Sequence, residues 1–252
     1  MNAPSVAEWV QVAARFGVDI EQVRRDHLIS HVLAAIATGV GPDDVIFFGG
    51  TALSRTYLTD ARLSEDIDLI AVAPRRQVAE QIEAAVRRNL ARSHGRPSWR
   101  PVLTSTVGSQ PAVLSVPDGT SIQVQLLSGD GYSWPTAVTA LDQRYSDAPP
   151  ARLRTLTAPA FAAAKLSAWI DRGAPRDLYD LWALTERGLI DSEASRAFVS
   201  CGPFAKHPPT WVFDRGPDEA DWRRALSHQT RLVVTAAEAL RRVREAWERA
   251  GS

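Results

Sequence analysis

Two short motifs constrain the fold of this chain more than any other part of its sequence. Residues 47–54 read FFGGTALS, an apolar stretch followed by two glycines and a helix-forming run, and residues 63–70 read LSEDIDLI. This pattern predicts a strand, a tight turn, a short helix and a second strand. Because residues i and i+2 of a strand point to the same face, Asp66 and Asp68 are expected to face one point while their apolar neighbours face the core.

The two carboxylates and the two glycines together predict a site for a metal ion and a phosphate. Adjacent carboxylates are costly to hold together unless a cation lies between them, and oxygen ligands suit Mg²⁺ with nucleotide phosphates completing its shell. Gly49 and Gly50 lack a Cβ, so their backbone N–H groups can approach an anion closely, and Thr51 is the predicted N-cap of the following helix, with a hydroxyl available to phosphate. The simpler alternatives are a turn-capping acidic pair and a plain tight turn.

These residues resemble the nucleotidyl transferase AbiEii/AbiGii toxin family, which belongs to the nucleotidyltransferase superfamily and whose relatives include the mycobacterial MenT toxins. The words GGTAL and SEDIDL at this separation carry the resemblance. A second segment, residues 164–182, is similar to the downstream motif of the same family, K-L-x-A-x-x-x-R-x-x-x-R-D-x-x-D-L.

The downstream motif supplies the remaining candidate site residues. Lys165 and Arg172 are seven residues apart, two helical turns, so they share a face that could approach a triphosphate. Lys165 is one of only two lysines in an arginine-rich chain, and its ammonium can meet a single phosphate oxygen. The resemblance implies an active-site role for Asp177, whereas a structural reading places this carboxylate in the first turn of a helix that begins near Pro175.

Two further arginines and one departure from the family pattern affect the predicted site. Arg55 and Arg62 flank the turn and the acidic strand and could balance phosphate charge, although loop arginines are common at surfaces. Many members of the superfamily place a third carboxylate on a later strand, but the matching strand here offers only Gln123 and Gln125. Glutamine cannot act as a base, so either Asp177 substitutes or the reaction uses two carboxylates.

Composition limits the class of protein. The chain has 252 residues, of which 45% are hydrophobic and 23% charged, as in an ordinary globular protein. It has no apolar run of roughly 20 residues and no signal-peptide pattern at its start, so we expect a cytoplasmic protein without a membrane span. Cys201 is the single cysteine, which excludes an internal disulfide. The zero net charge argues against a protein that binds nucleic acid along its whole surface. However, residues 75–100 contain seven arginines and only two glutamates, a local excess of positive charge. They form either a nucleic-acid surface or a solvated helix face.

The order of predicted elements indicates an α+β fold with two domains. Residues 1–148 are predicted to form a nucleotidyltransferase catalytic domain with N-terminal helices around a small mixed β-sheet, and residues 151–252 a helical domain. The segment 147–150, which ends in a proline pair, is the predicted link, and substrate would lie in a cleft between the domains. Helices are expected in the second half near residues 157–172, 175–187, 191–200 and 219–248.

The resemblance implies a Mg²⁺-dependent nucleotidyltransferase that moves a nucleoside monophosphate (NMP) from an NTP to an acceptor hydroxyl. It further implies a toxin of a type IV toxin–antitoxin or abortive-infection system with a separately encoded antitoxin, and, for MenT-like members, the 3′ end of tRNA as acceptor. Three alternatives share the same motifs: a transferase acting on a small molecule such as an antibiotic, a transferase acting on protein, and a degenerate NTP-binding module without turnover.

Overall fold

The structure, a computed structural model, describes residues 6–251. Its central feature is a mixed seven-stranded sheet with strand order β3-β4-β5-β2-β1-β7-β6. The strands are β1 Val45–Phe48, β2 Asp66–Ala71, β3 Ser98–Trp99, β4 Ala112–Ser115, β5 Ser121–Ser128, β6 Thr136–Leu141 and β7 Ala151–Leu156. The helices are α1 Val6–Phe16, α2 Ile20–Gly39, α3 Gly49–Ser54, α4 Arg75–Leu90, α5 Ala158–Arg172, α6 Pro175–Glu186, α7 Ser192–Cys201, α8 Glu219–Leu226 and α9 Ala236–Ala250.

The sheet centre follows the hydrophobic pattern of its strands. In β2, Ile67 and Leu69 are fully buried, while Asp66 and Asp68 lie on the opposite face and are partly exposed. Strand β1 pairs antiparallel with β2, and β5 pairs with β2 in parallel. Helices α2 and α4 pack together, and α2 is buried along most of its length. The predicted α+β fold class is therefore confirmed, with the acidic strand at the middle of the sheet.

The chain forms two compact units whose division differs from the predicted boundary. The first unit contains the described residues up to Tyr132 together with Ala137–Thr155, and the second contains Ser133–Thr136 and the residues from Leu156 onward. The proline pair precedes β7, which pairs in parallel with β1, so residues 147–150 belong to the first unit. In β7, the buried Ala151, Leu153 and Thr155 alternate with Arg152, which is exposed, and Arg154, which is half-buried. This alternation is short and follows two prolines, so no strand is predicted here from the sequence alone.

The second unit contains helices α5 to α9, and its last predicted helix is interrupted. Residues 219–248 form two helices, α8 and α9, instead of one. The new start at α9 is fixed by Thr235, whose side chain accepts a hydrogen bond from the Glu238 backbone N–H at 3.2 Å, and by Glu219, whose carboxylate accepts one from the Ala236 N–H at 2.6 Å. Among the described residues, no helix is long and apolar enough to cross a membrane.

Candidate active site

The acidic pair lies on one face of β2, as the alternation predicts. Asp66 and Asp68 are both partly exposed, whereas the residues between and after them are buried. Phe48, the last residue of β1, pairs with Asp68, so the chain leaves β1 and enters the glycine turn directly beside the carboxylates. The pair therefore offers hard oxygen donors on a face that is open to solvent.

Gly49 lies directly against Asp68. Its φ is +78°, a conformation that residues with a side chain rarely adopt. A Cβ at this position would collide with Oδ2 of Asp68 and lie 2.9 Å from its Cγ. The missing side chain lets the backbone of the turn approach the carboxylate closely, and two carboxylates on one strand face fit a hard divalent cation such as Mg²⁺.

Gly50 lies next to Arg62, and Thr51 bonds to the acidic strand. A Cβ at Gly50 would lie 2.7 Å from Nη2 of Arg62, so this guanidinium is next to the turn. The hydroxyl of Thr51 donates to the backbone carbonyl of Asp66, and Thr51 is 1% exposed. Helix α3 begins at Gly49, so Thr51 is its third residue and Phe48 is its N-cap. The prediction of Thr51 as N-cap is wrong; its hydroxyl ties α3 to the acidic strand.

The place of a third carboxylate is taken by glutamine. In the parallel pairing of β2 and β5, Asp66 is in register with Gln123 and Asp68 with Gln125. Register partners of neighbouring strands share a face, so both glutamines accompany the acidic pair. The amide nitrogen of Gln125 donates to the Ser109 carbonyl, which fixes this side chain beside the site.

Arg55 is buried, and polar groups of the first unit bind its guanidinium. It is 0% exposed, and its guanidinium donates to the Asp26 carbonyl and carboxylate at 2.9 and 2.8 Å and to the Asp142 carbonyl at 2.9 Å. Burial, helped by Arg144, lowers the pKa of Arg55 to about 10, which leaves it charged at neutral pH. The predicted phosphate contact by Arg55 is therefore replaced by a structural role in the core of the first unit.

The downstream motif forms a buried ion cluster in the second unit. Nζ of Lys165 lies 3.1 Å from Oδ1 of Asp177 and 2.7 Å from Oδ2 of Asp180. Arg172 donates to the same Asp177 carboxylate through Nε at 2.6 Å and Nη2 at 2.9 Å. Asp177 is 0% exposed. Burial acts to raise the pKa of Asp177, but Lys165 and Arg172 outweigh it and hold this pKa below its usual value. Such a carboxylate is an anchor for two cations and a poor base.

Replacement of Lys165 by methionine is expected to destabilise the second unit by about 3 kcal/mol, because it removes the ammonium between two buried carboxylates. Since the folded pKa of Asp177 is depressed, its ion pairs stabilise the protein above the unfolded pKa of about 4 and lose that effect as the pH falls. The loss should begin at higher pH in Lys165→Met. Urea unfolding at pH 7 and pH 4 measures both effects.

The matched control is the chain's other lysine. Lys206 is exposed, so Lys206→Met should leave the free energy of unfolding within about 0.5 kcal/mol of the wild type. Equal stability of the two variants would contradict the proposed ion cluster.

Comparison with protein families places these motifs in a known context. Residues 31–249 match the family described as nucleotidyl transferase AbiEii toxin, type IV TA system. The match covers both the glycine turn with the acidic strand and the downstream ion cluster. The chain belongs to the AbiEii family. It is a nucleotidyltransferase of a type IV toxin–antitoxin family, and the predicted resemblance is confirmed.

Solved structures agree with the fold of this AbiEii-family chain. The nucleotidyltransferase toxin MenT4 of Mycobacterium tuberculosis H37Rv is similar with a TM-score of 0.69 and 21% identity, over 95% of this chain and 88% of that one. A putative nucleotidyltransferase from H. pylori is similar with a TM-score of 0.56 and 13% identity, over 92% of this chain and 95% of that one. No curated protein sequence gives a significant match.

The structure also brings together a polar cluster that the motifs of this AbiEii-family chain do not include. His27 and His31 contact Asp147, the first residue of the predicted link, and the His94 ring packs against both histidines. Burial and neighbouring histidines lower the pKa of His31, and they lower the pKa of His94 to about 4. The only local signal was the i, i+4 spacing of His27 and His31 on one helix face; the other two members come from distant segments.

Proposed function

We propose that this chain is a Mg²⁺-dependent enzyme that transfers NMP from an NTP to an acceptor hydroxyl and releases pyrophosphate. The observation that carries the proposal is the position of Gly49, whose missing side chain lets the turn backbone lie directly against the Asp68 carboxylate, on the face that Asp66 shares. A bound Mg²⁺ would neutralise charge on the triphosphate. Asp66 and Asp68 would hold it.

The other residues of the turn would orient the nucleotide. The backbone N–H groups of Gly49 and Gly50 would receive phosphate oxygens, and the Arg62 guanidinium next to Gly50 would offset phosphate charge. Thr51 would position Asp66 through its bond to the Asp66 carbonyl. Positioning and charge neutralisation would therefore account for most of the rate.

Lys165 and Arg172 remain the proposed triphosphate contacts of the downstream motif. Their cationic groups are held by Asp177 and Asp180, so a phosphate would have to compete with these carboxylates. We assign Asp177 a positioning role for both cations, because its carboxylate is fully buried and its pKa is held low. Deprotonation of the acceptor would then rely on the two β2 carboxylates and solvent, without a third carboxylate.

The proposed acceptor is the 3′ hydroxyl of tRNA, as the resemblance to MenT-like toxins implies, and a separately encoded antitoxin would restrain the activity. The match to a type IV toxin–antitoxin family supports the antitoxin. Because NTP and tRNA are cytoplasmic, we place the reaction in the cytoplasm.

Incubation with each α-labelled NTP, Mg²⁺ and total cellular RNA tests the acceptor. Label is expected in the tRNA band, and periodate oxidation of the RNA should abolish it because oxidation destroys the terminal ribose hydroxyls. Label in polypeptide or in a low-molecular-weight product would instead support a protein or small-molecule acceptor.

The degenerate binding module has one observation in its favour, namely glutamine in place of the third carboxylate. Calorimetry with each NTP and Mg²⁺ distinguishes it from an enzyme. Binding without release of pyrophosphate, under conditions that include tRNA, would support the module and contradict the proposed transfer.

An exposed arginine cluster offers a surface for the RNA. Arg75 donates to the Leu126 carbonyl at 2.8 Å and to Thr106 at 2.7 Å, so it is structural, and Arg76 pairs with Glu80. The remaining arginines of this segment are exposed, at positions 87, 88, 92, 96 and 100. Replacement of Arg87, Arg88 and Arg92 by glutamine should weaken tRNA binding and reduce its salt slope by about 2 to 3, because each lost phosphate contact removes about one released counterion.

A charge-matched triple variant on α9 controls for net charge. Arg241, Arg242 and Arg244 pair with glutamates on the surface of the second unit. Filter binding across a salt series measures both triples. An unchanged slope in the triple variant at positions 87, 88 and 92, or an equal change in the α9 triple variant, would favour a solvated surface over an RNA-binding surface.

A further inference from the structure

We propose that the first unit contains a second metal site, for Zn²⁺ or a similar transition metal, formed by His27, His31 and Asp147. The Nε2 atoms of His27 and His31 each lie 3.1 Å from Oδ2 of Asp147. One ligand atom from each residue lies within 4.8 Å of the other two. Ligands of a tetrahedral Zn²⁺ at 2.0–2.1 Å are about 3.4 Å apart, so these atoms are close to the spacing of a coordination shell.

The donor set distinguishes this site from the acidic pair on β2. Two imidazole nitrogens and one carboxylate are typical zinc ligands, whereas Mg²⁺ prefers an all-oxygen shell. His27 and His31 are 5% and 6% exposed, and the Asp147 side chain is 6% exposed. The His27 ring packs edge-on against Tyr145, with centroids 4.9 Å apart, and near Trp9 at 5.7 Å. Burial among rings limits competition from water.

His94 supplies the positioning contact that metal-bound histidines usually have. Its Nε2 lies 3.1 Å from Nδ1 of His27, and its Nδ1 lies 2.9 Å from Oγ of Ser93. When His27 binds a metal through Nε2, the proton moves to Nδ1, which then donates to His94 Nε2. His94 keeps its own proton on Nδ1 beside Ser93. This chain fixes the ring and tautomer of His27.

The site would connect distant parts of the first unit. His27 and His31 lie on α2, whereas Asp147 is 120 residues after His27 in the segment before β7. A metal bound by the α2 histidines and Asp147 would hold this segment against α2. Its binding free energy would offset the entropy cost of closing the long loop between them. The proposed role is structural, because none of the three ligands belongs to the glycine turn or to β2.

Metal analysis of the full chain tests the proposal. After chelation, incubation with excess Zn²⁺ and desalting, the wild type should retain one zinc per chain. Zinc at about 100 times its dissociation constant should raise Tm by about 5–10 °C. The X-ray absorption spectrum of the zinc-loaded wild type should show scattering from two imidazoles. A folded wild type that retains no zinc, or a spectrum without imidazole ligands, would overturn the proposal.

Variants locate the ion. His31→Gln and Asp147→Asn should lower zinc affinity at least 100-fold, and the exposed His228→Gln should retain it. His94→Gln should lower affinity by about 10- to 100-fold while still binding one Co²⁺ with an altered visible spectrum, which a purely structural role would leave unchanged. Asp66→Asn combined with Asp68→Asn should retain the zinc. Zinc retained by folded His31→Gln and Asp147→Asn, or lost only with the β2 pair, would overturn the proposal.

Discussion

Replacement of Asp66 or Asp68 by asparagine is expected to lower NMP transfer by roughly 1,000-fold or more. Asparagine has nearly the same shape as aspartate, but its neutral amide cannot hold a divalent cation against the triphosphate. The fold should survive, since both side chains are on the partly exposed face of β2 and the residues between them form the core. Initial rates with labelled NTP and tRNA measure the effect, and circular dichroism checks the fold.

Asp130→Asn is the matched control for this change. Asp130 is a carboxylate in the same unit, two residues beyond the end of β5, where it accepts a hydrogen bond from Ser128 at 2.7 Å. Its replacement should leave the transfer rate within about twofold of the wild type. Retained activity in both β2 variants would contradict the metal role of the acidic pair.

The second large effect is expected from Gly49→Ala, which should reduce transfer by about 100-fold and destabilise the fold by about 1–3 kcal/mol. The new Cβ would collide with the Asp68 carboxylate and force either the turn or Asp68 to move. The positive φ of Gly49 adds a backbone cost of about 1 kcal/mol. Transfer rates and urea unfolding of the same preparation separate the two losses.

Gly119→Ala separates the collision from the backbone cost. Gly119 has a φ of +89°, and nothing lies within 4 Å of the position of its absent Cβ. This variant should lose stability by about 1 kcal/mol and keep its transfer rate. If Gly49→Ala behaved in the same way, the contact between the turn and Asp68 would have no part in catalysis.

Local sequence patterns predicted the acidic strand and the glycine turn because the contacts that define them join residues close together in the sequence. The apolar alternation around Asp66 and Asp68 determined which face they occupy, and the glycines fixed the turn that leads from β1 to α3. Helical periodicity likewise predicted the helices α5 to α7 close to their observed bounds. The absence of a third carboxylate on β5 was also visible, because register follows from alternation once β5 pairs with β2.

The errors arose where a distant partner decides the role of a residue. The local sequence predicts Arg55 as an exposed loop residue, but it is buried and donates hydrogen bonds to Asp26 and Asp142. Thr51 resembles a helix cap, but its hydroxyl meets the Asp66 carbonyl. Asp147 begins a proline-rich segment that resembles a linker, yet it contacts histidines on α2. Such long-range pairs depend on how the elements pack, which no window of a single sequence contains.

The most direct test of the proposed Mg²⁺ site on β2 is a crystal structure with Mn²⁺ and a non-hydrolysable NTP analogue. The anomalous signal of manganese locates the ion. The account predicts a peak within about 2.0–2.3 Å of one carboxylate oxygen each of Asp66 and Asp68, with the triphosphate against the Gly49 turn. A nucleotide bound elsewhere, or manganese found away from both of these carboxylates, would contradict it.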